Sequence, residues 1–331
     1  MNPVRPDPGR SNGVNTLSFR RACELERCPE DRKWLVEGLW SDRAVGIVGG
    51  EPKCCKSFLA LDFAVAVASG TPCLRRFAVK QKGPVLVFAA EDAQHEVRAR
   101  LEGLSLVSGV PFGDLDVHVI TAPIVRLDLE DDCRKLSATV EALRPKLLVL
   151  DPFVRLHRQD ENVASDVAPL LAYLRQIERR FHAAVLLVHH SRKGAAHVRA
   201  GQALRGSSEL HAWGDSNLYM RRKGEDVLLL SAEHRAAAPL AEVALELRVR
   251  GEVRSLEVVD RPVDSDEART PLSAAERIEQ ALSEATQQVG IHELRKVCRM
   301  RMASVCGALA ELIAGGRVLK SGDGYQLAMN A

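Results

Sequence analysis

Aromatic residues are scarce in this chain. They make up 4% of its 331 residues, although 46% of the chain is apolar, so Ala, Val and Leu must fill the core. Long apolar runs are missing too. None reaches membrane-spanning length, and the opening stretch M-N-P-V-R-P-D-P-G-R-S-N-G has no apolar signal core. An excess of one charge is also lacking. The 46 basic and 44 acidic residues leave a formal charge of +2, so any nucleic-acid-binding surface must be local. The eight cysteines (23, 28, 54, 55, 73, 133, 298 and 306) are scattered, and Cys23 and Cys28 have neither a second pair nor a histidine at ligand spacing. That excludes a zinc pattern. Reduced thiols in a soluble, cytoplasmic, membrane-free protein are the expectation, with length for about two domains.

What is present falls into an ordered rhythm. Residues 1–33 read as a flexible N-terminal segment, rich in Pro, Gly and Asn over its first half. Next comes W-L-V-E-G-L-W at 34–40, whose Trp34, Leu35, Leu39 and Trp40 are expected to pack against the domain behind them. From 44 onward, short Val- and Leu-rich runs (44–48, 84–89, 116–120, 146–150, 184–188) alternate with helical stretches at about 56–69, 93–106, 130–143 and 165–181. Apolar runs without alternation suit strands buried on both faces and joined by helical crossovers. The fold class is therefore α/β, a doubly wound, mostly parallel sheet. Beyond 214, S-N-L-Y-M-R-R, D-V-L-L-L-S, A-L-E-L-R-V and S-L-E-V-V alternate and read as antiparallel edge strands. The first domain thus spans 34–260. Residues 261–271 form a polar linker, and 272–331 show three helical patterns and a hairpin turning at Gly322–Gly324, the plan of a winged helix-turn-helix.

The chemistry concentrates after the first long strand. From Gly50 the chain reads G-E-P-K-C-C-K-S, which fits the phosphate-loop pattern G-x-x-x-x-G-K-[ST] except that Cys55 replaces the last glycine. Between strand and helix, backbone N–H groups of Gly50, Lys53, Cys54, Cys55 and Phe58 converge on phosphate oxygens. Lys56 adds a charge near the β- and γ-phosphates of ATP, and Ser57 a hydroxyl for Mg²⁺. Asp151 ends L-L-V-L-D and is the second metal-binding candidate. Glu91 and Asp92 end V-L-V-F-A-A; Glu91 is assigned the attacking water and Asp92 the cap of the next helix. His189 and His190 close V-L-L-V at the sheet edge where ligands bind. Cys55 is expected to spare binding and slow turnover, because glycine there lets the backbone approach the ligand.

These segments resemble RecA-like ATPases of the hexameric RepA type, related to the DnaB replicative helicases. The matching stretches are G-E-P-K-C-C-K-S, F-A-A-E-D, L-V-L-D-P-F, L-V-H-H-S-R-K, R-G-S-S-E-L-H-A-W-G-D-S-N-L-Y-M and S-A-E-H-R, in family order from about 36 to 250. The resemblance implies ATP hydrolysis between subunits of a ring. It implies that the His189–His190 pair couples the γ-phosphate to loops facing a central channel, and that Arg235 in S-A-E-H-R reaches the neighbour's phosphate. Arg221 and Arg222 rival Arg235 in that role. Independently, no acidic residue lies between Glu178 and Glu209, while six basic residues do (Arg179, Arg180, Arg192, Lys193, Arg199 and Arg205). A Gly- and Ala-rich basic stretch at 191–205 suits sequence-independent contact with single-stranded DNA, and F-V-R-L-H-R after Asp151 is a second channel-loop candidate. A DNA-acting motor ATPase is the first expectation. A slow nucleotide-dependent regulator, with a C-terminal module that binds DNA or a protein, is the alternative.

Overall fold

The apolar runs become strands because both of their faces are covered. The computed structural model describes residues 19–25, 29, 33–190, 208–223, 227–260, 274–283, 287–298, 300, 302–322 and 324–328. The chain divides into two units, Met1–Arg261 and Pro262–Ala331. In the first, β1 (Trp34–Val36) and β2 (Trp40–Ser41) form a short antiparallel hairpin. It buries Leu35, Leu39 and Trp40 completely. Trp40 meets Phe63 edge-on, with centroids 6.0 Å apart.

The main sheet uses β3 (Val45–Gly50), β4 (Val85–Ala89), β5 (Val117–Val119), β6 (Leu147–Asp151) and β7 (Ala184–His190) in parallel. It is extended by β8 (Ser216–Lys223), β9 (Val227–His234), β10 (Leu240–Arg250) and β11 (Val253–Val258). The nine strands lie in the order β11-β10-β9-β8-β3-β7-β6-β4-β5. β8 runs parallel to β3, and β8 to β11 then pair antiparallel. This mostly parallel sheet with antiparallel edge strands is the RecA-like architecture.

The crossovers are α1 (Lys56–Ser69), α2 (Gln94–Val107), α3 (Glu130–Leu143) and α4 (Ala164–Phe181), with a short α5 (Ser208–Trp213) before β8. Side chains of a strand alternate between faces, so each run splits between two cores. Val185 and Leu187 join the core that includes Leu136, Leu170 and Leu174, whereas Leu186 and Val188 join Phe63 and Leu104. Eleven of the fourteen residues of α1 are buried, consistent with its apolar composition on all sides. Its one buried carboxylate, Asp62, accepts from Leu74 N at 2.7 Å and pairs with Arg75.

Backbone ladder and side chains share the work at the start of β3. An added Cβ on Gly46 would lie 1.8 Å from the Ser216 carbonyl. Before the β3–β8 ladder begins at Val48–Leu218, Asp215 and Asn217 accept from Val45 N and Ile47 N. G-D-S-N at 214–217 is therefore a strand-edge connection.

The second unit contains α6 (Ala274–Ser283), β12 (Val289–Gly290), α7 (Ile291–Val297), α8 (Met302–Ala314), β13 (Val318–Ser321) and β14 (Gly324–Leu327). Its three strands are ordered β12-β14-β13. A small core gathers Ile278, Leu294, Val305, Leu309, Leu312 and Val318. Arg295 and Lys296 fall in the last turn of α7, while Arg299 and Arg301 lie outside the described residues. No helix among the described residues is long and apolar enough to cross a membrane.

Candidate nucleotide site

The end of β3 meets the start of α1 in a loop whose backbone is unusual at three positions. Gly50 has φ 155°, and a Cβ there would lie 2.2 Å from the Met220 carbonyl of β8. Only glycine fits. Lys53 and Cys55 both take left-handed conformations, at φ 64° and 63°. The positive φ expected of the missing glycine is therefore kept by a cysteine, at a cost of about 1–2 kcal/mol. Cys55 is also the N-cap of α1 and makes no side-chain cap bond, so the first N–H groups of the helix still point out of its N-terminus toward any anion placed there.

Lys53, Cys54, Cys55, Lys56, Ser57 and Phe58 line one cleft of about 250 Å³ together with Glu91, Asp92, Arg100, Asp151 and His190. Nearly all the loop, metal and water-positioning candidates thus converge. Lys56 is buried, and its Nζ donates to the Gly50 and Glu51 carbonyls at 3.0 and 2.7 Å. Burial holds its pKa below the usual lysine value, opposed mainly by the Cys54 thiol. Burial also pushes both thiols up, which makes Cys54 and Cys55 neutral neighbours and poor nucleophiles.

Asp151 is raised to about 6, first by burial and then by Asp92 and Glu91, against a hydrogen bond from Ser57 and the charge of Lys56. Hard oxygens from Ser57 and Asp151, with two more carboxylates lining the cleft, fit Mg²⁺. No group of three ligating side chains occurs among the described residues. That also suits Mg²⁺, which keeps waters and phosphate oxygens in its shell.

Two expectations for the strand ends are corrected or divided. Asp92 does not cap α2: the N-cap is Ala93, without a side-chain bond. Asp92 instead forms a two-pronged pair with Arg100 at 2.5 and 3.0 Å, and Arg100 lies over the Phe58 ring. The reason is reach, since Arg100 stands on the cleft side of α2 and a guanidinium binds a carboxylate more strongly than an amide does. Glu91 is half exposed and paired with Arg155 at 2.8 Å. The two histidines separate because adjacent strand residues face opposite ways. His190 lines the cleft, whereas His189 is buried on the other face, 3.8 Å from Glu161 and edge-on to Phe153.

Arg235 is not part of this cleft in its own chain. It follows β9 at the sheet end where β3 begins, donating to the Ala212 and Trp213 carbonyls and pairing with Asp215 at 3.4 Å. Its rivals differ: Arg221 grips Glu242 with two bonds of 2.9 Å, whereas Arg222 donates to the Lys53 carbonyl at 2.9 Å. Sequence reading missed this contact of Arg222 with the loop, and only the pairing of Gly50 with Met220 reveals it. In F-V-R-L-H-R, Phe153, Leu156 and His157 are buried, so only Val154, Arg155 and Arg158 remain for a channel role. The stretch 191–205 lies outside the described residues.

Sheet order and cleft together define a RecA-like P-loop ATPase. The chain belongs to the AAA domain family AAA_25, which matches residues 15–196. It is similar in fold to the solved ATPase domain of a helicase, at 12% identity and a TM-score of 0.51 over 65% of this chain and 85% of that one. Similarity extends to the RadB recombinase, at 16% identity and a TM-score of 0.48 over 66% and 92% of the two chains. It also extends to the KaiC-like protein PH0186 from Pyrococcus horikoshii OT3, at 13% and 0.47 over 68% and 93%.

Proposed function

We propose that this chain is an ATP-driven motor that acts on DNA as a ring of copies, a hexamer of the RepA helicase type. The observation that carries the reading is the placement of His190. One strand end lines the phosphate cleft and runs directly into the acid-free basic stretch 191–205. That stretch is the proposed contact with single-stranded DNA.

In this reading Lys56 exchanges the Gly50 and Glu51 carbonyls for phosphate oxygens, a move its four-carbon stem permits. Ser57 and Asp151 hold Mg²⁺, which supplies charge neutralisation to the phosphates. Glu91 orients the attacking water after leaving Arg155. His190 senses the γ-phosphate, and His189 transmits its position to the loop carrying Phe153 and Glu161. Arg235 lies too far along the sheet to serve its own site and completes a neighbour's. Residues 34–260 form the motor. Residues 272–331 form a winged helix that docks DNA or a protein.

Subunit mixing tests the ring. Lys56→Ala and Arg235→Ala chains should each be inactive, and their mixture should regain part of the ATPase rate. Absence of recovery would place Arg235 outside a shared site. A second reading is favoured by one contact. The Glu91–Arg155 pair and the strained Cys55 both suit a slow nucleotide-dependent regulator. Slow hydrolysis combined with tight, sequence-specific duplex binding by 272–331 would decide for that reading.

A further inference from the structure

We propose that Arg222 is a positioning residue for the nucleotide, clamping the phosphate loop from β8 within the same chain. Strand β8 backs the loop at two successive same-face positions. The Met220 carbonyl fills the space where a Gly50 Cβ would stand, and the Arg222 guanidinium bonds to the Lys53 carbonyl at 2.9 Å. It also lies close enough to Cys55 to act electrostatically on its thiol.

The loop needs such a clamp for a stated reason. Lys53 and Cys55 are two non-glycine residues held left-handed one residue apart, a conformation that persists only when the surroundings impose it. The Gly50 and Glu51 carbonyls are held by Lys56, but Lys56 is the group that must turn toward phosphate. The Arg222–Lys53 bond survives that turn and tethers the strained half of the loop while the cleft fills. A charged donor on a carbonyl is among the stronger neutral-acceptor bonds. Arg222 thereby supports a loop that has kept a glycine conformation with a cysteine.

The proposal rests on nucleotide binding at this loop, which Lys56→Ala tests separately. Binding of a fluorescent ATP analogue to the full chain is the measurement. Arg222→Ala should raise the Kd about fivefold or more and leave the melting temperature nearly unchanged, because the side chain is exposed. Arg222→Lys should recover part of the affinity, since an ammonium can donate to the same carbonyl without the fork. Mixing Arg222→Ala with Lys56→Ala chains should restore nothing. An unchanged Kd in Arg222→Ala, with Lys56→Ala unable to bind, overturns the clamp and leaves the site standing. Recovered hydrolysis in the mixture also overturns it, by placing Arg222 in a neighbour's site. Full binding by Lys56→Ala removes the underlying reading instead.

Discussion

Replacing Cys55 with glycine isolates the one departure of the loop from its pattern. Cys55 sits at φ 63° and ψ 27°, where an L side chain costs about 1–2 kcal/mol and glycine costs nothing sterically. Two effects act on stability with opposite signs. Relief of strain stabilises the glycine variant by about 1 kcal/mol, and its freer unfolded chain removes about 0.4–1 kcal/mol. Melting should therefore barely move. Turnover should move, because the side chain lines the surface that closes around the phosphates. About 1 kcal/mol of strain relieved in the transition state corresponds to roughly fivefold in kcat. Cys55→Val is the counterpart, since a β-branched residue at positive φ is an outlier, and it should lose tenfold or more. Steady-state hydrolysis at saturating Mg-ATP, with melting curves as a control, gives the ranking glycine above cysteine above valine. A valine variant as active as the native chain would refute the reasoning. A glycine variant much slower than the native chain would do so too, and would mean that the thiol takes part.

Lys56→Ala should abolish nucleotide binding, measured by equilibrium titration, since it is the one lysine buried in the cleft. Glu91→Gln should bind ATP nearly normally while hydrolysis falls about 10²-fold or more; equal losses in both would make the carboxylate structural. Asp151 titrates near pH 6 in the fold against 3.8 unfolded. A raised carboxyl favours the protonated native state, so its contribution is full below about pH 4 and is lost as pH rises through 6. The loss is on the order of 2–3 kcal/mol. Asp151→Asn should flatten that fall in chemical denaturation between pH 4 and 7, and an identical slope in both proteins would contradict it.

The sheet was legible because its strands are buried on both faces and therefore write themselves as unbroken apolar runs. Five predicted parallel strands and four predicted helices match β3 to β7 and α1 to α4 within two residues. Short elements were not legible. The β1–β2 hairpin has two- and three-residue strands, too few for any period, and its residues could be assigned only to packing. The site was legible where one residue type at one strand end suffices, as for Lys56, Ser57 and Asp151. It was illegible where partners come from distant elements. Asp92 reads as a helix cap because caps are local, and Arg100 captures it across eight residues. His189 and His190 read as a pair, and the pleat sends them to opposite faces. Arg222 reads as an edge-strand charge until β8 is known to lie beside β3.

ATPase rate against protein concentration, with and without single-stranded DNA, tests the central claim most directly. A ring that completes each site with a neighbour's Arg235 predicts a rate per chain that rises with concentration to a plateau and is stimulated by single-stranded DNA. A rate per chain that is constant over the same range and indifferent to DNA, in a protein whose Lys56→Ala variant is dead, would contradict the motor reading while leaving the nucleotide site intact.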